Sequence, residues 1–413
     1  MISFEKFILP NGLRVILHED LATPLVAINV LYDVGSKDED PNKTGFAHLF
    51  EHLMFGGSVN IPKYDEPLQN VGGQNNAFTN TDITNYYLTL PKENIETGLW
   101  LESDRMLGLA FSEKSLNTQR KVVVEEFKQS YLNQPYGDVW LELRKLAFRK
   151  HPYRWATIGK TPSHIRNAEM EDVKAFFKKH YNPSNAILSI SGNISIKETY
   201  KLVEKWFGGI SAGEKYNRIL DEEPEQISAR AKAITKPVPY DALYIAYHSP
   251  SRLDKDYYAS DLISDVLSNG YSSRLYQSLV KEKKMFSEIN AYITGEIELG
   301  VFVISGKIAE GVVIEKAEEE IERQLSLLKT KSISKEELSK VKNKIEANHT
   351  LNEMNVLNKA MSLAYYELLG DANKINQQVE MYRKVSQKDI KRVAQEIFKQ
   401  EKANTLYYLS TKE

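Results

Sequence analysis

His48, Glu51 and His52 stand in the stretch Gly45-Phe46-Ala47-His48-Leu49-Phe50-Glu51-His52-Leu53-Met54-Phe55. No proline or glycine interrupts Phe46 to Phe55, so the stretch reads as a helix. With 3.6 residues per turn, two histidines four apart project from one face. Their neutral imidazoles can share one metal ion. Glu51, one residue before His52, leans towards the same rim and can reach a water on that metal. This is the set needed for metal-assisted hydrolysis: nitrogen ligands hold Zn²⁺, an open position holds water, and a non-ligating carboxylate takes the proton. Spacing alone does not secure the reading, because core-facing helices also carry histidines and two of the eight in this chain can fall four apart by accident.

The rest of the chain has to position that helix. Its 413 residues exceed one ordinary core and suit two domains of roughly 200 residues each. Hydrophobic residues at 42% and charged residues at 27% describe a globular protein. A net charge of −2 gives no pull towards nucleic acid or anionic membrane. No apolar run reaches the roughly 18 residues that span a bilayer, and Met1-Ile-Ser-Phe-Glu-Lys lacks the basic and apolar regions of a signal peptide. The expected address is cytoplasmic, or periplasmic if a signal has been removed. With no cysteine in the chain, a metal must rely on histidine and carboxylate.

In chain order, Leu9-Pro10-Asn11-Gly12 makes a turn between two short strands, and Leu25 to Val34 is a more fully apolar strand. The histidine helix follows a charged loop and ends at Gly56-Gly57-Ser58. Val71 to Thr81 reads as a loop running into a thin, polar strand, and Asn85 to Leu90 as a further strand. Ile95 to Leu109 and Ser112 to Gln129 have helical spacing, the second capped by Ser112 or Ser115 and carrying the pair Glu125-Glu126. On its own such a pair is ordinarily a solvated helix face.

Gly208 to Pro224 is rich in glycine and polar residues, close to the midpoint, and reads as a linker. Beyond it the plan of strand, loop and helix recurs, with Leu243 to His248, Tyr257 to Leu267, and one long helix expected from Ser334 to Leu369. That recurrence suggests an internal duplication. The expected fold class is α+β: two similar α/β-sandwich domains, each a mixed, mainly antiparallel sheet with helices packed on it. The expected divisions are 1–213 for the zinc-binding domain, 214–230 for the linker and 231–413 for the homologous domain. Ser260 to Val266, at the place of the histidine helix, holds no histidine, so one zinc per chain is expected.

These residues resemble the M16 zinc metallopeptidases, the family of pitrilysin, insulin-degrading enzyme and the mitochondrial processing peptidase subunits. The resemblance runs nearly the whole length. It takes in Leu9-Pro10-Asn11-Gly12-Leu13, the inverted motif His48-x-x-Glu51-His52, Gly72-Gly73-x-x-Asn76-Ala77, Val122-Val123-Val124-Glu125-Glu126, His151-Pro152-Tyr153 and Ser272-Ser273-Arg274-Leu275. It implies a zinc metalloendopeptidase with His48 and His52 as ligands and Glu51 as general base. It implies a downstream glutamate as third ligand, and the register of the valine run favours Glu126. Adjacent helical residues point about 100° apart, so Glu125 then lies outside the ligand set as a neighbouring support. Asn75, Asn76, Ala77, Phe78 and Thr79 match the family's substrate-binding edge strand, where short or unfolded peptides pair by β-augmentation.

Two departures bear on partners. Seven residues before Glu126, where the family often has a further glutamate, stands Gln119, which can hydrogen-bond near the site but brings no charge. In the second half the family's self-sufficient members carry an arginine and a tyrosine that hold substrate and oxyanion, and the alignment puts Lys281 and Glu288 there. Lysine lacks the guanidinium fork and glutamate repels an oxyanion. The resemblance therefore implies the zinc-bearing chain of a heterodimer whose zinc-less sister supplies the Arg and Tyr. The alternatives are a self-sufficient homodimeric peptidase and a non-catalytic core subunit of the same fold.

Overall fold

Eleven strands are present in the computed structural model, which describes residues 1–214 and 216–411. They are β1 (Glu5–Ile8), β2 (Arg14–Glu19), β3 (Leu25–Tyr32), β4 (Gln74–Thr79), β5 (Thr84–Pro91), β6 (Ala186–Gly192), β7 (Arg230–Lys236), β8 (Ala242–Ser249), β9 (Phe286–Ile293), β10 (Gly300–Ile308) and β11 (Asn404–Ser410). The helices that pack on them are α1 (Phe46–Leu53), α2 (Asp65–Asn70), α3 (Ile95–Leu107), α4 (Glu113–Phe127), α5 (Val139–Ala147), α6 (Pro162–Arg166), α7 (Met170–His180), α8 (Ile196–Phe207), α9 (Tyr257–Ser268), α10 (Ile314–Thr330), α11 (Lys335–Asn352), α12 (Val356–Leu368), α13 (Gln378–Lys384) and α14 (Gln387–Ile397). Lys215, in the expected linker 214–230, and Lys412 and Glu413, at the end of the expected domain 231–413, lie outside the described residues.

The sheets have the orders β1-β2-β6-β3-β5-β4 and β7-β11-β8-β10-β9. If β1 is set aside, the second sheet repeats the first strand for strand. Parallel β2·β6 answers to parallel β7·β11, and the remaining pairs are antiparallel in both. The duplicated, mainly antiparallel α+β architecture expected from the sequence is what the chain adopts. α1 lies between β3 and β4 in the chain and α9 between β8 and β9, so α9 is the topological counterpart of the histidine helix.

The chain divides into two compact units: Met1–Lys128 with Trp155–Leu220 and His349–Gln377, and Gln129–Arg154 with Asp221–Asn348 and Gln378–Glu413. The units interleave, whereas 1–213, 214–230 and 231–413 follow one another. The reason is visible on the strands. β3 is buried over seven of its eight residues and must be covered on both faces. Ile28, with Leu88 and Leu90, packs on α3 at Gly98. Its other face, Ala27 and Leu31 with Ile16 and Ile187, packs on Val356, Ala360, Leu363 and Ala364 of α12. The second sheet is treated alike. Leu243, Ile245 and Phe302 pack among α9, α10 and α14, while Ala242, Ala246 and Leu406 pack on Val139, Leu143 and Ala147 of α5.

Several elements differ from the sequence-based expectation, the unexpected α8 among them, and two show a clear physical reason. The single helix Ser334 to Leu369 is two helices, because the Asn355 side chain accepts hydrogen bonds from the backbone N–H of Leu357 (2.8 Å) and Asn358 (3.4 Å) and starts α12 afresh. β7 was not expected. Its sequence, RAKAITK, is mostly exposed, and lysines on an edge strand guard it against further pairing while hiding its alternation.

Candidate active site

α1 buries Phe46, Leu49, Phe50 and Leu53, the spacing of an inward face. Phe50 stacks on Tyr181, with centroids 5.0 Å apart, and its carbonyl accepts from the Tyr86 hydroxyl at 3.3 Å. This leaves His48, Glu51 and His52 on the outer rim. Opposite them runs α4, started by Ser112, whose hydroxyl accepts from the Ser115 N–H at 3.1 Å. Leu116, Val123 and Phe127 point inward, and Arg120 Nη1 ties the helix to the carbonyls of Arg166 (3.2 Å) and Ala168 (2.9 Å). The last turn of α4 carries Glu126.

His48, His52 and Glu126 converge, with one ligand atom from each lying within 4.8 Å of the others. His48 Nε2 is 3.7 Å from Glu126 Oε1, and His52 Nε2 is 3.4 Å from Glu126 Oε2. Charge-assisted hydrogen bonds run about 2.7–2.9 Å, so these contacts are long. Two ligands about 2.0–2.2 Å from one tetrahedral ion stand about 3.3–3.6 Å apart; the 3.4 Å contact falls in that range and the 3.7 Å contact lies just beyond it. Two imidazoles and one carboxylate fit zinc and leave a fourth position open. Burial lowers the His48 pKa, which favours the neutral, ligating ring. Contact with His52 holds the Glu126 carboxyl below its ordinary range against the cost of burial.

Glu51 is not one of the converging three, yet its charge is felt by His48, Tyr86 and Tyr181. Glu125 turns away: its side chain is 58% exposed and its carboxylate accepts from Lys128 Nζ at 2.6 Å. Gln119 is half-buried two turns before Glu126 on the same helical face. Beyond the triad, His151 Nδ1 accepts from the Tyr153 N–H at 3.2 Å, and the His248 ring bonds the Ala147 carbonyl at 2.9 Å.

β4 is the outer strand of its sheet, and α1 packs against it. Asn80 N–H donates to the Ile83 carbonyl at 3.0 Å, closing a two-residue hairpin turn. Antiparallel ladders alternate, so Phe78 with Asn85 and Asn76 with Tyr87 exchange backbone bonds. Asn75, Ala77 and Thr79 therefore turn their backbone N–H and C=O to the open edge. The Asn75 side chain donates to Asp65 at 2.8 Å, and the Ala77 N–H is taken by the Asn76 side chain at 2.8 Å. Phe78 is 38% exposed.

In the second unit, α9 carries Asp261 and Asp265 four residues apart. Asp261 accepts from the Tyr382 hydroxyl at 2.6 Å, and Asp265 is bonded by Asn269. Among the described residues, the potential metal cluster is the one on α1 and α4. Glu39 went unnoticed in the sequence. Its buried carboxylate meets the first turn of α1, and burial pushes it up to about 8 against the pull of its donors. The one signal for it was an acidic residue shortly before Gly45.

Residues 14–160 match the family model described as Insulinase (Peptidase family M16), and residues 167–345 match Peptidase M16 inactive domain. The chain is 29% identical to a zinc protease PqqE of Helicobacter pylori over 98% of this chain and 92% of that one. A crystal structure of a protease from Helicobacter pylori superposes with a TM-score of 0.94 at 29% identity, covering 99% of this chain and 100% of that one. A probable mitochondrial-processing peptidase subunit beta of Arabidopsis thaliana is 26% identical over 60% of this chain and 47% of that one.

Proposed function

The chain belongs to peptidase family M16, and from that premise we propose that it is a zinc-dependent endopeptidase of short or unfolded peptides. The observation that carries the reading is the spacing of His48, His52 and Glu126, which suits co-ligands of one ion and lies beside an open strand edge. Bound there, Zn²⁺ supplies a Lewis acid for the scissile carbonyl and lowers the pKa of a water. Glu51 accepts the proton of the attacking water and returns it to the leaving amine. The outward backbone groups of Asn75, Ala77 and Thr79 pair with an extended peptide, and main-chain pairing tolerates many sequences. Folded proteins offer no free strand and are excluded.

The partner follows from what the second half lacks. Lys281 is exposed, and Glu288 on β9 pairs with Lys307 at 3.0 Å. Neither offers the arginine fork or the tyrosine hydroxyl that the family uses, so a zinc-less sister chain supplies them. That the Arabidopsis relative is named as a subunit supports this arrangement.

One assay tests both parts. An unstructured peptide is incubated with the zinc-loaded chain, the chelated chain, and the zinc-loaded chain with a sister subunit added. The expected result is cleavage that is lost on chelation, restored by zinc and raised by the sister. A rate indifferent to chelation contradicts the peptidase reading, and a rate that no sister raises contradicts the heterodimer.

A further inference from the structure

α1 begins at Gly45, whose φ of +89° is left-handed. A Cβ there would come 2.6 Å from Ile165 Cδ1 and 2.7 Å from the Ile158 carbonyl oxygen. Only glycine suits the position, and glycine has no side chain with which to cap the helix. The cap comes from six residues earlier. Glu39 Oε2 accepts from the Gly45 N–H and Oε1 from the Ala47 N–H, each at 2.9 Å. Trp155 Nε1 donates to the same carboxylate at 3.2 Å and to the Ser36 carbonyl at 2.9 Å. Glu39 is 6% and Trp155 2% exposed, so water does not compete for these bonds.

The helix so held has eight residues, too few to keep its shape without tertiary restraint. Ala47 immediately precedes His48. A carboxylate that bridges the N–H groups of residues 45 and 47 fixes where the first turn starts, and one residue of slippage would swing each histidine by about 100°. At the other end the Tyr86 hydroxyl holds the Phe50 carbonyl. Three N–H donors, from Gly45, Ala47 and Trp155, converge on the two oxygens of Glu39, and with the helix dipole they favour the ionised carboxylate against the cost of its burial.

We propose that Glu39 is a positioning residue for the metal centre: its two oxygens set the start of α1 and so the direction in which His48 and His52 present Nε2 to Glu126. The inference rests on the zinc reading of that triad. Glu39 touches neither substrate nor metal.

The test uses the full chain with Co²⁺ in place of zinc, comparing wild type, Glu39→Gln, Trp155→Phe and Asn404→Ala. Glu39→Gln keeps the shape but sets an NH₂ against a backbone N–H. Trp155→Phe keeps an aromatic ring and removes one donor. Asn404→Ala is a destabilising control in the second unit, where the Asn404 side chain bonds Gln226 and the Ala246 carbonyl. For Glu39→Gln we expect an altered Co²⁺ absorption spectrum, kcat at least tenfold lower and KM within twofold of wild type. Trp155→Phe should shift in the same direction by less. Asn404→Ala should lower Tm while leaving spectrum and kcat unchanged. If Glu39→Gln does not fold, Trp155→Phe alone decides. The proposal is overturned by wild-type spectra and kcat in the folded variants, or by a fall in kcat that Asn404→Ala reproduces. Wild type that takes up no cobalt overturns the zinc reading itself, and the positioning role with it.

Discussion

Glu125 and Glu126 are neighbours that point about 100° apart, one to Lys128 and the other to His48 and His52. Glu126→Gln is accordingly expected to lower zinc affinity at least tenfold, while Glu125→Gln binds zinc as wild type does; competition with a chromophoric chelator measures both. The shared helical face of His48, Glu51 and His52 was legible from spacing, because helical periodicity turns sequence distance into direction; their proposed roles at a zinc needed the resemblance as well. Glu126 needed the resemblance, since nothing in the residues says which turn of which helix faces α1. Glu39 was illegible because its role depends on the left-handed backbone of Gly45. His180 was hidden for a similar reason. It is fully buried among Phe176 and Tyr216, and neither ring nitrogen has a hydrogen-bond partner among the described residues. Burial, with the charges of Lys179 and Arg218, lowers its pKa from 6.5 to about 3. A histidine depressed in the folded state leaves stability intact above pH 6.5 and withdraws it as pH falls towards 3, by about 1.4 kcal/mol per unit. His180→Phe should flatten that loss; denaturant titrations at pH 7 and pH 4.5 that differ as much as wild type would refute it.

At the scale of elements, β4 shows what the chemistry asks of the fold. All its residues stand in register with β5, but the backbone groups of the even-numbered ones bond β5 while those of the odd-numbered ones point to the open edge. Ala77→Pro removes an outward N–H and spares the ladder, whereas Phe78→Pro removes a ladder bond. One backbone hydrogen bond is worth about 0.5–1.5 kcal/mol, so Ala77→Pro should lower kcat/KM roughly two- to twelvefold. Its Tm should stay near wild type, and Phe78→Pro should lower Tm instead. Equal effects of the two prolines on Tm would contradict the assigned register. Strands with a strong apolar run, such as β3 and β8, and helices with a clear inward face, such as α9, were readable. β7 was not, because an exposed lysine-bearing edge carries no alternation. The break between α11 and α12 was missed because a lone Asn355 cap inside a helical pattern reads as helix.

At the scale of the whole chain, duplication was legible from the recurrence of strand, loop and helix, and the two sheets repeat each other in order and sense. The interleaving was not. α5 belongs with the second sheet and α12 with the first, and both pairings are contacts between residues far apart in sequence. The duplication also separates roles: α1 carries two histidines and a glutamate, while its counterpart α9 carries aspartates satisfied by Tyr382 and Asn269. No helix among the described residues is long and apolar enough to cross a membrane. The central claim is that His48, His52 and Glu126 hold one zinc while Glu51 moves the proton. The most direct measurement is zinc content and peptide hydrolysis on the same preparation of Glu51→Gln. The account predicts one zinc per chain, as in wild type, with hydrolysis lower by about 10²–10⁴-fold. Wild-type turnover by the zinc-loaded variant would contradict it, as would loss of zinc on this substitution.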